Sequence, residues 1–358
     1  MGDRFIIIGG GIVGASLAFA LSRAGKDVTV LEQHAPASGA SSKSFAWLNA
    51  NYPDTPEYFR LRLAALRHYR ELNAEFDLTD LLRFGGSLWW EDEGDAFDAH
   101  VALLASFDYR SEVVDAATFA KLEPKIKNPP DRALHAPEEA GIALAGMTRW
   151  LLEKASASGA SVQTGASVDE LVFSAGRVTG VKTAVETLFA DHVVIAAGVT
   201  AGDLLAQVGF DLPMNNNAGL ILRSAPLPPL VSHVIMSPDV HFRQDPDGSL
   251  LMGEIFSGSF EAGRDIAALR KTVLGYVADR LDAPEPIVPL QTMLGTRPMP
   301  ADGMPAIGAV PGTSGLSVAV MHSAATLGPM VGQLLAQELV EGREEPLLAT
   351  FRPSRFQD

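Results

Sequence analysis

The sequence predicts an α/β fold that begins with a βαβ unit. The apolar run over residues 4–8 leads directly into a Gly-x-Gly-x-x-Gly sequence at residues 9–14. An Ala- and Leu-rich helical pattern follows, and then a second apolar run over residues 28–31 that ends at Glu32. Much later, the apolar run over residues 192–198 also ends in small residues. Strands that deliver small residues to a ligand or a helix start are typical of open α/β sheets.

There is a physical reason for a glycine at each of three positions in the N-terminal sequence. Gly9 allows a tight turn, Gly11 lets the backbone approach a pyrophosphate, and Gly14 lets the helix pack close to the strand. Glu32 lies 32 − 14 = 18 residues after Gly14, near the spacing of about 20 expected of a carboxylate that binds a ribose. These residues predict a dinucleotide-binding protein and leave open which dinucleotide is bound.

The composition excludes several classes of protein. A chain of 358 residues predicts two domains, and a net charge of −15 disfavours nucleic acid as a partner. The absence of cysteine excludes disulfides, thiolate metal sites and a cysteinyl link to a cofactor. The chain begins with a strand instead of a signal-peptide pattern, and no apolar run approaches the roughly 20 residues that span a membrane. We therefore expect a cytoplasmic protein with no membrane span and no metal site.

The remaining elements follow from apolar periodicity and turn residues. Apolar residues recur at helical spacing in segments that predict helices at about 58–76, 95–107, 142–159, 263–281 and 327–341. Short apolar runs between turn residues predict strands at 85–90, 162–164, 168–173, 178–181 and 315–321. Residues 241–254 predict a hairpin that turns at residues 245–248. The acidic residues 91–93 are predicted to form a solvated turn.

Four segments together resemble the glycine oxidase and D-amino-acid oxidase family of FAD-dependent oxidoreductases, which includes the sarcosine oxidases. They are residues 9–14 with Glu32, the loop of small residues 38–44, the strand 193–198, and Arg297-Pro298 followed by residues 302–308. A fainter match is Leu-Glu-Pro at residues 122–124. Because the segments span nearly the whole chain in the family's order, the match is far more specific than the glycine sequence alone.

The resemblance implies a Rossmann-like FAD-binding domain and a discontinuous second α+β substrate domain built on a mixed sheet. The FAD-binding domain would comprise residues 1–50, 140–215 and 290–358. The substrate domain would comprise residues 51–139 and 216–289, with its sheet covering the flavin.

The resemblance also implies which residues hold the cofactor. Glu32 would bind the adenosine ribose, the backbone of Val168 would meet the adenine, and residues 40–42 would line the path to the isoalloxazine. The full expected set is Gly9, Gly11, Ile12, Val13, Gly14, Glu32, Gln33, Ala40, Ser41, Ser42, Val168, Ala197, Gly198, Gly295, Leu327 and Gly328. Some relatives attach flavin through cysteine or histidine. This chain has no cysteine, and Lys43 stands near where a histidyl link would fall, so we expect non-covalent FAD.

Flavin-dependent amine oxidation moves a hydride from the carbon next to nitrogen to flavin N5, and the protein supplies orientation and electrostatics. The carboxylate of an amino acid needs a fixed cation, and the resemblance assigns this role to Arg297, whose guanidinium offers a bidentate fork. The alternative is that Arg297 pairs with a nearby acid, such as Asp302, and braces the loop. His322, before the last helix, is expected either to contact flavin or substrate, or to be hydrogen-bonded locally.

Two further candidates are His241 and Arg243, which alternation places on one face of a strand that lines the substrate cavity in relatives. Arg243 would provide a second cation for a dicarboxylate substrate; the alternative is an exposed hairpin arginine. The aromatic residues Trp47, Tyr52, Trp89 and Trp90 are expected either to wall the pocket or to belong to the core.

The leading hypothesis is oxidation of the C–N bond of a small amino acid or N-substituted glycine, such as glycine, sarcosine or iminodiacetate. The imine would hydrolyse to an oxo acid, such as glyoxylate, and an amine, with O₂ or another acceptor taking the electrons. One alternative is a D-amino-acid or hydroxyproline dehydrogenase, and another is a flavin subunit that needs a partner. The substrate, the acceptor and the oligomeric state stay open.

Overall fold

Helices and strands alternate along most of the chain, and the computed structural model describes them over residues 3–215, 217–254 and 265–357. In these residues the α-helices are α1 (Ile12–Arg23), α2 (Pro56–Phe76), α3 (Gly94–Ser106), α4 (Ala116–Leu122), α5 (Leu144–Ala157), α6 (Ala201–Ala206), α7 (Ile266–Arg280) and α8 (Ala324–Glu341). The strands in the first part of the chain are β1 (Arg4–Ile8), β2 (Asp27–Glu32), β3 (Trp47–Leu48), β4 (Leu82–Arg83), β5 (Ser87–Trp89), β6 (Glu112–Asp115), β7 (Arg132–Ala136), β8 (Ala140–Ile142), β9 (Ser161–Thr164) and β10 (Val168–Ser174). The later strands are β11 (Arg177–Thr183), β12 (Thr187–Phe189), β13 (His192–Ile195), β14 (Asn217–Pro226), β15 (Val234–Met236), β16 (His241–Gln244), β17 (Ser249–Gly253), β18 (Pro289–Arg297), β19 (Ala306–Ala309) and β20 (Leu316–Val320).

The chain divides into two compact units, and unit 1 consists of Met1–Ser42, Leu144–Asn217 and Thr296–Asp358. Its main sheet has the strand order β19-β20-β13-β1-β2-β9. The pairs in this sheet are parallel except for β19 with β20. Ile8 at the end of β1 lies opposite both Leu31 of β2 and Ile195 of β13. Three parallel strands therefore end at the same edge of the sheet.

Helix α1 packs against α5 and α8, and small residues allow the close approach to α8. A Cβ at Gly332 of α8 would lie 2.6 Å from the backbone of Ser16 in α1. The Ser16 hydroxyl is consumed within α1, where it donates to the carbonyl of Ile12 at 2.6 Å. Strands β10, β11 and β12 form a separate antiparallel sheet in this unit.

Unit 2 consists of Lys43–Ala143 and Ala218–Gly295. Its main sheet is mixed, with the order β18-β14-β17-β16-β15-β5-β7-β6, and β15 runs parallel to β5. The core packs the sheet residue Phe242 with Phe119 of α4 and Val273 of α7. The long helix α2 begins at Thr55, whose hydroxyl accepts a hydrogen bond from the amide of Tyr58 at 3.2 Å, as N-capping threonines do.

The predicted α/β class is confirmed, with a largely parallel sheet in unit 1 and a mixed sheet in unit 2. The predicted hairpin over residues 241–254 is also confirmed, as β16 and β17. The helix predicted from residue 142 begins at Leu144, because residues 140–142 form strand β8. The predicted start of α7 at residue 263 lies outside the described residues. None of the helices in the described part of the chain has both the length and the apolar character needed to cross a membrane.

Candidate active site

The glycine loop connects β1 to α1 in unit 1, and two of its glycines are required by the fold itself. Gly9 has a φ of 112°, and a Cβ there would lie 2.5 Å from the carbonyl oxygen of Ala196. A Cβ at Gly14 would overlap the carbonyl oxygen of Gly9 and approach the Ile7 side chain to 3.2 Å. These two positions therefore tolerate only glycine, as close helix–strand packing demands.

Gly11 is different, because no contact among the residues that the structure describes requires a glycine there. Its φ of −78° is open to any residue, and a Cβ would have the Ser41 hydroxyl oxygen as its nearest neighbour at 3.4 Å, an ordinary contact. A glycine that packing does not explain is expected where a ligand approaches the backbone. Gly11 is also the N-cap of α1, so no side chain of its own covers the positive end of the helix. This cradle fits the pyrophosphate of a dinucleotide.

The loop of small residues is held against the glycine loop. Residues Ala40–Ser42 form a single 3₁₀ turn, and the buried Ser41 hydroxyl accepts a hydrogen bond from the amide of Ile12 at 3.0 Å. Ser42 instead donates its hydroxyl hydrogen within the turn, to the carbonyls of Ser38 and Gly39. Ser41 therefore lies at the start of α1, where its hydroxyl is bonded to the amide of Ile12, a residue of the expected cofactor set.

Glu32 ends β2 and braces the glycine loop through both carboxylate oxygens. Oε2 accepts from the amide of Gly10 at 2.7 Å, and Oε1 accepts from the amide of His34 at 2.8 Å. Because a carboxylate offers about four acceptor positions, two remain for the hydroxyls of a ribose. Gln33, the next residue, is exposed. The backbone carbonyl of Glu32 also accepts from Ala166, which brings the segment leading to Val168 to the same strand end.

The small residues after β13 lie at this edge as well. Gly198 has a φ of 59° and begins a 3₁₀ turn directly after Ala197. The nearest side chain to a Cβ at Gly198 would be Pro298, at 3.9 Å. The Arg297-Pro298 segment therefore lies beside the end of β13, which is itself paired with β1.

Three predicted cofactor residues have packing roles of their own. A Cβ at Gly295 would lie 2.7 Å from Cβ of Lys43, so a glycine lets the two backbone segments cross within unit 2. A Cβ at Gly328 would lie 3.0 Å from the Ile12 side chain, so this glycine faces α1. Leu327 is fully buried. Packing alone accounts for these residues, and their contact with a cofactor stays a prediction.

Arg297 ends β18 and is half-buried. Burial lowers the pKa of its guanidinium from the ordinary value, and an arginine in a protein stays charged at neutral pH. The alternative partner Asp302 is bound by Arg355, whose Nε donates to Oδ2 at 2.6 Å and whose second donor reaches Oδ1 at 3.1 Å. Asp302 therefore has Arg355 as a partner, and the role of Arg297 toward a substrate carboxylate stays a prediction.

His322 lies just before α8, where Ser323 adopts the left-handed conformation with a φ of 57°. The imidazole is half-buried, and its Nδ1 lies 3.1 Å from the Ser323 hydroxyl oxygen. The local hydrogen bond foreseen as one alternative is therefore present. A role toward flavin or substrate stays a prediction.

Arg243 in unit 2 is buried, and its guanidinium is already bound by other groups of the protein. It is 2% exposed, and it forms an ion pair with Asp245. Its Nε donates to the carbonyl of Phe45 at 2.5 Å, and a terminal nitrogen donates to the carbonyl of Ile142 at 2.8 Å. The alternative of an exposed hairpin arginine is wrong, because the outward-facing position expected at a hairpin is covered by the segments that carry residues 45 and 142.

The solvated turn predicted for residues 91–93 is wrong for Glu91, whose side chain is 16% exposed. Oε2 of Glu91 accepts from the Tyr52 hydroxyl and from Nε1 of Trp89, the latter at 2.7 Å, while Oε1 contacts Nε2 of His241. Burial acts to raise the pKa of Glu91, but the hydrogen bonds and charge of His241 and the bonds from Tyr52 and Trp89 outweigh it and lower that pKa.

A second buried carboxylate, Glu139, also escaped the sequence reasoning. It has no exposed surface and accepts hydrogen bonds from Nε1 of Trp47 at 2.7 Å, the Ser87 hydroxyl at 2.5 Å and the Tyr109 hydroxyl at 2.6 Å. Burial raises the pKa of Glu139 to about 7, against the hydrogen bonds that lower it. Trp47 and Trp89 are buried, so these two aromatic residues belong to the core of unit 2.

Replacing Glu139 with glutamine is expected to flatten the dependence of stability on pH. Because the folded-state pKa is raised from 4.5 to about 7, the stabilisation is complete below pH 4.5 and is lost as pH rises through about 7. The shift corresponds to about 3 kcal/mol of unfolding free energy, which the glutamine variant would not lose. Denaturant unfolding at about pH 5 and about pH 8 measures this difference. Glu138→Gln is the matched control, and an equal slope in wild type and Glu139→Gln would contradict the prediction.

A parallel sheet whose first strand ends in a glycine loop, with a carboxylate at the end of the second strand, defines a dinucleotide-binding protein of Rossmann-like fold. The profile of the DAO family, described as FAD dependent oxidoreductase, matches residues 4–338. The chain therefore belongs to this family, and its dinucleotide is FAD.

Individual relatives share only about a quarter of their residues with this chain, over nearly its whole length. The uncharacterised oxidoreductase YurR of Bacillus subtilis is 27% identical, with 98% of each chain covered. A glycine oxidase of Pseudomonas putida is 25% identical, with 96% of each chain covered. The crystal structure of L-proline dehydrogenase from P. horikoshii has a TM-score of 0.86 at 19% identity, covering 99% of this chain and 98% of the other. That likeness shows the fold.

Proposed function

We propose that this chain is an FAD-dependent oxidoreductase that oxidises the C–N bond of a small amino acid or N-substituted glycine. The observation that carries the proposal is the position of Arg297. Its neighbour Pro298 lies beside Gly198, at the same sheet edge as the glycine loop. A half-buried guanidinium at this edge is suited to hold a carboxylate near the dinucleotide site. The names of the relatives support an amino-acid substrate, since one is a glycine oxidase and a structural neighbour is an L-proline dehydrogenase.

We assign FAD to unit 1. The glycine loop would hold the pyrophosphate, Glu32 the ribose, and the segment at Val168 the adenine. With no cysteine in the chain, FAD is held non-covalently. When bound, FAD supplies the acceptor for two electrons and a hydrogen. The task of the chain is to bind the substrate carboxylate at Arg297 and to orient the carbon next to nitrogen.

The hydrogen bonds and the ion pair of Arg243 bear on whether the substrate carries one carboxylate or two. A diacid such as iminodiacetate requires a second cation, but the Arg243 guanidinium is already bound by Asp245 and two backbone carbonyls. Removing Arg243 from these partners would leave the buried Asp245 with Arg223, at 3.4 Å, as its cationic partner, and breaking a buried ion pair costs several kcal/mol. We therefore favour monocarboxylate substrates. The same observation supports the second candidate function, oxidation of a D-amino acid or a cyclic imino acid.

An anaerobic titration tests the proposal. Purified protein is examined for an acid-releasable flavin spectrum and then titrated with glycine, sarcosine, D-alanine, D-proline, hydroxyproline and iminodiacetate. We expect one of the monocarboxylates to bleach the flavin and iminodiacetate to be inactive. The rate of re-oxidation in air then separates an oxidase from a dehydrogenase. Flavin that none of these compounds bleaches would contradict the proposal and favour a subunit that needs a partner.

A further inference from the structure

The loop that follows Arg297 leads to β19 and lies in unit 1. Two backbone hydrogen bonds, at 2.7 and 2.8 Å, join its residues 299 and 301 to residues 215 and 213. Pro298 lies beside Gly198, at the sheet edge that also carries the glycine loop. A connecting loop belongs to the least stable parts of a fold unless further contacts hold it.

Arg355 provides such a contact through the carboxylate of Asp302. Its Nε donates to Oδ2 at 2.6 Å and one terminal nitrogen donates to Oδ1 at 3.1 Å, which is the bidentate arrangement of a strong ion pair. The same terminal nitrogen donates to the carbonyl of Met304 at 3.0 Å, and Oδ1 also accepts from the Met304 amide at 3.0 Å. One guanidinium therefore binds both a side chain and the backbone of the loop.

The guanidinium of Arg355 is itself held in one orientation. Arg355 belongs to the 3₁₀ turn Pro353–Phe356, and its other terminal nitrogen donates to the carbonyl of Arg352 at 3.1 Å. The ring centroid of Phe356 lies 4.2 Å from the guanidinium carbon. All three guanidinium nitrogens are therefore bound within the protein, which suits a residue that positions a loop.

The turn that carries Arg355 is anchored to α8 by Arg352. The guanidinium of Arg352 binds both carboxylate oxygens of Glu338 in α8, one of them at 2.9 Å, and both side chains are mostly buried. The nitrogen that makes the 2.9 Å contact also donates to the carbonyl of Ile307 in β19 at 3.4 Å. A helix and a strand of unit 1 thus hold the turn, and the turn holds the loop.

Ion pairs at a protein surface usually contribute little, but the pair of Arg355 with Asp302 differs in two respects. Its geometry is bidentate, and a guanidinium that is already fixed loses little side-chain entropy on pairing. Burial acts to raise the pKa of Asp302, but the hydrogen bonds and charge of Arg355, with the Met304 amide, outweigh burial and lower that pKa. The carboxylate therefore stays charged and bound.

We propose that Arg355 is a positioning residue for Arg297 and that it acts through Asp302. Asp302 lies 302 − 297 = 5 residues after Arg297, so holding the loop at Asp302 restricts where the backbone of Arg297 lies. A guanidinium has to be placed within about 0.5 Å to bind a carboxylate through two parallel hydrogen bonds. The inference rests on the proposed function, because it takes Arg297 to bind the substrate carboxylate.

The first test is steady-state kinetics of Arg355→Gln in the full FAD-loaded chain, with the amine that bleaches the flavin. KM is expected to rise about fivefold with kcat little changed, because a displaced Arg297 weakens binding equally in the ground state and the transition state. Arg355→Lys keeps the charge without the bidentate fork and should recover part of the loss. Arg343→Gln is the matched control, since Arg343 is exposed and pairs with Glu341, and its constants should equal those of the wild type.

The affinity for FAD separates positioning from general damage to unit 1. The dissociation constant of FAD in Arg355→Gln should stay close to that of the wild type, because the glycine loop and Glu32 lie at the ends of β1 and β2. A loss of FAD affinity in step with the rise in KM would overturn the inference.

A double-mutant cycle shows whether Arg355 acts through Asp302. Asp302→Asn and Arg355→Gln should raise KM by similar factors, and the double variant should be no worse than either. Additive effects, a fall in kcat at constant KM, or an unchanged KM in Arg355→Gln would each refute the proposal. If Arg355→Gln does not fold, Asp302→Asn decides alone, since an asparagine oxygen can still accept from the Met304 amide.

Hydrogen exchange tests the loop without a substrate. The amides of Ala301 and Gly303 donate to the carbonyls of Pro213 and Pro300, each at 2.8 Å. Both amides should exchange faster in Arg355→Gln than in Arg343→Gln, and equal exchange rates would contradict the inference even if KM rises. If no amine bleaches the wild-type flavin, the proposed function fails, and the exchange rates still decide whether Arg355 holds the loop.

Discussion

Gly11→Val is expected to abolish FAD retention while the fold of unit 1 persists. The backbone at this position is open to any residue, and a Cβ meets only an ordinary contact with Ser41. The new side chain would instead occupy the space that the pyrophosphate needs beside the start of α1. The affinity for FAD should fall by at least about 100-fold, or roughly 3 kcal/mol. The ratio of flavin to protein absorbance after purification, together with circular dichroism, measures the two effects separately.

Gly14→Ala serves as the contrasting variant, since its Cβ would overlap the Gly9 carbonyl oxygen inside the fold. This variant should be poorly folded, whereas Gly11→Val should be folded and colourless. A yellow Gly11→Val protein would refute the placement of the cofactor. The pair therefore separates a glycine required by packing from a glycine required by a ligand.

Arg297→Lys is expected to keep the yellow colour and raise KM on the order of 100-fold. A lysine preserves the charge but cannot form two parallel hydrogen bonds to a carboxylate. An interaction made equally in the ground state and the transition state changes KM more than kcat. Steady-state kinetics with the amine that bleaches the flavin gives both constants.

The exposed Arg343 provides the matched control, because Arg343→Lys makes the same exchange away from the sheet edge. Its constants should equal those of the wild type. If Arg297→Lys also left KM unchanged, Arg297 would be removed from the substrate site.

The nucleotide-binding half of the protein was the predictable part. Its signals are local, because a strand, a turn and a helix adjoin in sequence and their glycines occupy fixed offsets. Glu32 followed from spacing alone, and the structure adds that it also braces Gly10. The roles of Gly295 and Gly328 in packing were not predictable, since each depends on a neighbour far away in the chain.

The candidate site of unit 2 shows where pattern reasoning fails. The acidic tract that begins at Glu91 resembles any solvated turn, yet this carboxylate is bound by Tyr52 and by His241, which lies 241 − 91 = 150 residues later. Arg243 looked like an exposed hairpin residue, but the carbonyl of Ile142, 101 residues away, is one of its acceptors. Burial of a charged group is decided by such partners and leaves little trace in the local sequence.

By itself the sequence determined the α/β class, the glycine loop with the carboxylate at the end of the second strand, and the resemblance to FAD-dependent oxidoreductases. Only the tertiary structure decided that Gly11 is free of packing demands, that Arg243 is committed to Asp245, and that Glu91 is an anchored, mostly buried carboxylate. The physical reason is the range of the interactions involved. Backbone conformation and strand–turn–helix geometry depend on adjacent residues, whereas desolvation and charge pairing depend on which distant segments the fold brings together.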